Sequence, residues 1–195
     1  MAAKARTVES SSSTTLQKGI PMTSDASTVT SLERKDLRDA LVRQRDLLLR
    51  TVRGLTDAQA RLTPTASQLC LGGIIKHVAL VEEGWVRFIE EGPARQGPPD
   101  EAAYEAHAAG FRMADGETLP VLLARYDAVA RYTDELVTTL PSLDASHPLP
   151  EAPWFEPGAR WSARQALVHI VAETAQHAGH ADIIRETIDG GKTMG

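Results

Sequence analysis

Cysteine is almost missing from this 195-residue chain: Cys70 stands alone. That excludes an intrachain disulfide framework and any cysteine-built zinc module, and it suits a reducing, cytoplasmic setting. A lone thiol of this kind reads as a small buried apolar residue. Aromatic residues are scarce at 5% and β-branched runs are few, so packed helices are favoured over sheets and the expected fold class is all-α. Basic excess is missing too. A net charge of -5 and a pI of about 5.7 leave no footprint for neutralising phosphates, so no nucleic acid is expected as a partner. No apolar run approaches the roughly 20 residues of a membrane span, and residues 1–30 lack the apolar region of a secretory signal. No membrane partner is expected.

What is present is an average globular balance, 42% hydrophobic and 24% charged, enough for one core in one domain. Residues 1–30 are rich in Ser and Thr and carry few large apolar side chains, so they read as a disordered tail. Met22 offers a second possible start of translation. The folded unit is expected over 31–190, with a flexible C-terminus at 191–195.

Helical periodicity marks four long segments. The first runs from about Leu32 to Leu55, with Leu37, Leu41, Leu48, Val52 and Leu55 on one stripe. Arg38, Arg43, Arg45, Asp46, Arg50 and Arg53 on its other face read as solvated surface. A turn with a short helical piece follows, to Pro64. The second helix starts near Ser67 to Gly72 and ends before Gly92-Pro93, with Leu71, Ile74, Ile75, Val78, Val81, Trp85 and Ile89 as its buried face. Residues 92–116 form a long connection with a weak helical patch near Glu101 to His107, of the kind that serves as crossover or lid. The third helix spans about Thr118 to Leu140. Five prolines between 141 and 160 argue against a regular element there, and Trp154-Phe155 within that loop reads as a cover. The fourth helix opens on the capping box Ser162/Gln165 and stops at Gly190-Gly191. The sum is a four-helix bundle with long crossover connections.

Three of the six histidines lie in the fourth helix. At about 100° per residue, His177 falls inside the apolar stripe and Glu173 lies about 40° away at its margin. The carboxylate and the imidazole can therefore converge between helices. His169 and His180 project further out. His77 occupies the inner flank of the second helix. An inward Glu is costly without a compensating charge, and a divalent cation held by His77, Glu173 and His177 supplies one. The competing account pairs Glu173 with a protonated histidine or with Arg164 or Arg185. Two imidazoles and one carboxylate leave coordination positions open, unlike a closed structural zinc site. The single Glu-x-x-x-His spacing differs from the Glu-x-x-His pairs of a di-metal bundle.

The segments G-G-I-I-K-H-V-A-L-V-E-E-G-W at 72–85 and E-T-A-Q-H-A-G-H-A-D-I-I-R-E at 173–186 resemble the DinB-like superfamily of metal-binding four-helix bundles. The resemblance extends over most of 32–190. It implies ligands from one histidine of the second helix and an H-x-x-x-H pair of the last, which fall on His77, position 173 and His177. Position 173 is Glu here, a departure similar to the branch containing the mycothiol-dependent maleylpyruvate isomerase. The G-H-A-D-x-x-R-E ending resembles a large branch with no settled activity, several members of which are described as thiol-dependent transferases.

These features lead to an enzyme that binds a low-molecular-weight thiol, mycothiol or another, as a metal thiolate for S-transfer or isomerisation of a small-molecule substrate. The metal is zinc, nickel, iron or manganese, which this donor set does not separate. His180 is the candidate for proton transfer or support of a ligand, and Arg164 and Arg185 are candidates for a substrate carboxylate. The alternatives are a non-catalytic, metal-stabilised binding or stress-response module, and a homodimeric subunit with no ligand site.

Overall fold

The computed structural model describes residues 26–94 and 99–193. In chain order the elements are α1 (Ala26–Arg50), α2 (Asp57–Ala60), α3 (Leu71–Glu91), α4 (Glu101–Gly110), α5 (Leu119–Thr139), β1 (Ser146–Pro148), β2 (Arg160–Ser162) and α6 (Ala163–Asp189). The four long helices α1, α3, α5 and α6 pack as a bundle, with α1 against α6 and α3 against both α5 and α6. The all-α expectation holds. Among the described residues no helix is long and apolar enough to cross a membrane.

Local chemistry sets the ends of α6. Ser162 accepts a hydrogen bond from the Gln165 backbone N–H and the Gln165 side chain returns the favour at the cap, while Gly190 closes the helix at φ 76°, a left-handed conformation suited to glycine. Cys70 is buried and caps α3, its sulfur accepting from the Gly73 N–H at 3.4 Å.

Two boundaries differ from the sequence reading. Helix α1 begins at Ala26, inside the segment expected as a tail, and ends at Arg50 rather than Leu55. The chain turns at 51–54, where Gly54 has φ 75°. The rest of the expected tail, 1–25, and the last two residues of the C-terminal segment lie outside the described residues. The proline-rich stretch is not wholly irregular either. β1 and β2 pair antiparallel with His147 opposite Trp161, and Pro148 ends its strand, where a missing donor costs little. The short ladder gathers 149–159 into a loop that presents Trp154 and Phe155.

The core has two apolar clusters. One gathers Leu48, Ile74, Val78, Leu122 and Ile184; the other gathers Leu41, Val86, Leu136, Leu167 and Ile170. Between them lies a polar layer. Arg45, expected on the solvated face, is buried, and its guanidinium donates to Glu82 at 2.5 and 3.3 Å and to Asp134 at 2.7 Å. Glu82 is 0% exposed. Tyr126 reaches the same layer, where burial and then the Glu82 carboxylate push its hydroxyl pKa up. Position by position, Arg45 sits between Leu41 and Leu48, and Glu82 between Val78 and Val86, one helical step from each.

The long connection is anchored to the start of α3 by close backbone approach. A Cβ on Gly73 would stand 1.8 Å from the Phe111 carbonyl oxygen, and one on Gly72 would stand 2.0 Å from the Met113 sulfur. Gly73→Ala is therefore expected to destabilise the protein by about 1–3 kcal/mol, as overpacking does, and to shift Phe111. Gly72→Ala should cost less, because the Met113 side chain can move. Urea unfolding of the two variants checks this order.

Candidate metal centre

The register of α6 places Glu173 and His177 one turn apart, and the α3–α6 packing brings His77 opposite them. One ligand atom from each of the three lies within 4.8 Å of the others. His177 Nε2 is 3.6 Å from Glu173 Oε2, and the His77 and His177 ring centroids are 4.8 Å apart. Atoms bound to one ion at 2.0–2.2 Å lie roughly 3–3.5 Å from each other, so a small inward movement closes this set on a cation. Both imidazoles are buried, at 4% and 8% exposure, and Glu173 is half-buried.

Burial, and then the facing His177 and His107, lower the His77 pKa to about 3. Burial also lowers His177, against the opposing pull of Glu173. Neutral rings with free lone pairs are the protonation state a metal ligand needs. Phe111 stacks on His77 at 3.7 Å between centroids and 19° between planes, fixing the ring and shielding one face.

The neighbours of Glu173 remove the arginine part of the competing account of its charge. Arg164 pairs with Glu33 and Asp144. Arg185 donates to the Thr51 and Arg53 carbonyls and pairs with Asp189. Neither guanidinium is at Glu173, so neither neutralises it, and both are engaged away from the site, which removes them as anchors for a substrate carboxylate. The groups facing Glu173 are His177 and, at 3.7 Å on its other oxygen, His169. His169 was expected further out; the carboxylate turns toward it. Burial lowers the His169 pKa too, opposed by Glu173.

His180 sets its Nδ1 3.5 Å from Nδ1 of His177 and is half-buried. It touches a candidate ligand but does not line the adjoining cavity. That cavity, of about 620 Å³, has His77, His169 and Glu173 at its polar end, and its walls include Val81, Trp85, Tyr104, Trp154 and Phe155. Val81 and Trp85, expected in the core, are half-buried and face this space. Trp154 and Phe155 cover it, as their place in the proline-rich loop suggested. His107, from α4, also lines it and stands edge-on to His77 at 5.4 Å. Sequence reasoning missed His107 because α4 has no apolar stripe to orient it.

The sequence profile of the mycothiol-S-transferase family matches residues 36–190, from within α1 to the glycine cap of α6. A comparison with curated proteins finds no match. The resemblance to the DinB-like superfamily is borne out, since that family lies within it. With its bundle, its inward histidines and a match over most of its length, the chain belongs to the mycothiol-S-transferase family.

Proposed function

We propose that this protein is a metal-dependent S-transferase that joins a low-molecular-weight thiol, mycothiol or a close equivalent, to a small electrophile. The observation that carries this reading is the convergence of His77, Glu173 and His177, the first two of which stand at the polar end of a ligand-sized cavity. Family membership supports the transfer chemistry. A divalent cation held there supplies the charge that keeps a thiol deprotonated and nucleophilic near neutral pH.

The chain's own groups prepare that site. His77 comes from one helix and Glu173 and His177 from another, so the bundle itself sets their spacing. His169 directs its Nε2–H at the second Glu173 oxygen, 3.7 Å away, and holds the carboxylate in line. His180 does the same for the far nitrogen of His177, fixing its tautomer. Phe111 and the aromatic walls exclude water from the reacting sulfur. Three protein donors leave room for the thiol.

Elemental analysis of untagged protein, followed by a thiol titration of the cobalt-substituted form, tests the proposal. Bound divalent metal and a spectral change on adding thiol are expected. Metal-free protein from several metal-supplemented cultures, or a cobalt spectrum blind to thiol, would falsify it. Within the donor set, Glu173→Gln is expected to weaken metal binding more than His169→Ala or His180→Ala, each of which should cost about tenfold, the lower range for groups that only support a ligand. Glu173→His should retain binding. Competition with a chromogenic chelator gives the ranking, and wild-type affinity in Glu173→Gln with loss in His180→Ala would reassign the third donor.

A further inference from the structure

This chain holds only three Trp, three Tyr and three Phe, and its two core clusters are almost wholly aliphatic. Trp85 and Trp161 pack against the second cluster, and Trp154 belongs to neither. Trp154 contacts Phe155 at 6.2 Å between centroids, Phe155 contacts Trp161 at 5.6 Å, and Trp161 stacks on Trp85 at 4.8 Å and 21°. His169 stands edge-on to both Trp85 and Trp161, and its other side faces Glu173. A continuous run of rings therefore leads from solvent to the candidate metal centre.

The outer end of that run is unusual. Trp154 is 63% exposed, so the fold does not use its ring for packing, yet it lines the cavity beside Phe155. A second cavity of about 340 Å³ adjoins the first and shares Val81, Trp85, Trp154 and Phe155 with it. A flat ring laid against these faces gains both burial and stacking. Charge points the same way. Among the described residues, no Lys or Arg lines the larger cavity, and Arg164 and Arg185 are engaged elsewhere. Arg87, on the smaller cavity, is exposed and pairs with Glu83, so once a dication is balanced by Glu173 and a thiolate, the described walls of the larger cavity hold no side-chain cation to offset the desolvation of another anion.

We infer that the sulfur acceptor is an uncharged, planar aromatic electrophile seated between Trp85 and the Trp154–Phe155 pair, with Trp154 setting the preference for it. The identity of the acceptor rests on the S-transfer reading; the ring site itself does not. In the reaction the thiol sulfur forms a bond to the electrophilic carbon of the ring and a halide leaves with the carbon–halogen electron pair. The thiol proton goes to water, so a thioether and a hydrogen halide result.

The test is calorimetric binding to the full chain, with and without prior chelation, of three inert probes. These are 1,3-dinitrobenzene, its carboxylate counterpart 3,5-dinitrobenzoate and the saturated nitrocyclohexane. The neutral aromatic is expected to bind at least about tenfold more tightly than the other two, the combined effect of stacking and ring burial. Trp154→Ala should weaken it by about three- to tenfold and Trp154→Phe should retain most of the affinity, with the melting midpoint unchanged because the residue is exposed. Dinitrobenzoate binding as well as dinitrobenzene, or Trp154→Ala binding as wild type, overturns the inference. A separate assay with 1-chloro-2,4-dinitrobenzene and thiol isolates the underlying reading. Binding of dinitrobenzene with no thioether formed upholds the ring site and removes the transfer reaction. Thioether formed on an aliphatic electrophile by protein that does not bind dinitrobenzene does the reverse.

Discussion

Replacing His77 or His177 with alanine is expected to lower divalent-metal affinity by well over tenfold, since losing a group that merely supports a ligand already costs about 10–100-fold. Each imidazole is buried, and each comes from a helix whose position the bundle fixes, so its loss opens the donor set at a point the backbone cannot close. His107 is the closest competitor at His77, but its ring stands edge-on at 5.4 Å on the exposed helix α4. The loss should therefore appear in both variants, with helical content retained. Equilibrium dialysis against zinc and manganese, alongside circular dichroism, measures it. Wild-type stoichiometry and affinity in both variants would remove these residues from the centre.

The second large effect belongs to the layer that divides the core. Arg45→Met keeps much of the side-chain length but leaves Glu82 fully buried without its cation, and a loss of about 3–5 kcal/mol of unfolding free energy is expected, as for other broken buried pairs. Removing both charges together is a different perturbation. Arg45→Met with Glu82→Leu exchanges the pair for apolar contacts that continue the Leu41–Leu48 and Val78–Val86 rows. That double variant should lie near the wild type or above it. Urea unfolding of both single variants and the double gives the coupling directly. An Arg45→Met protein within about 1 kcal/mol of wild type would show that solvent reaches Glu82 and that the layer is not sealed.

This pair also shows why part of the core was invisible in the sequence. The stripe of the first helix skips from Leu41 to Leu48, and the position between them at helical spacing is Arg45. An arginine reads as surface because an unpaired charge is costly to bury. What reverses that expectation is Glu82, 37 residues away on another helix, together with Asp134 on a third. No pattern local to either helix contains that information.

The candidate site divides along the same line. Glu173 and His177 were legible because both stand on one helix, and i,i+4 spacing is a property of the helix itself. His77 had an inward register that set it across the core from them, and the resemblance to a known family gave the same set. The orientation of His169 toward Glu173, the stacking of Phe111 on His77 and the approach of His107 involve segments far apart in the chain. The same is true of Trp85, whose place on an apolar stripe suggested the core and whose ring both packs against the second core cluster and lines a cavity.

Sequence by itself determined the features that arise within a turn or two of chain: the four long helices, the Ser162 and Gln165 cap, the inward register of His177 and the glycine stop at Gly190. These depend on hydrogen bonds and periodicity that neighbouring residues satisfy among themselves. Only the tertiary structure decided which charges are buried, which arginines are already engaged and which aromatic faces remain open to a ligand. Burial and electrostatic partnership are relations between helices, and the free energy of a charge or a ring depends on what the opposite helix places against it.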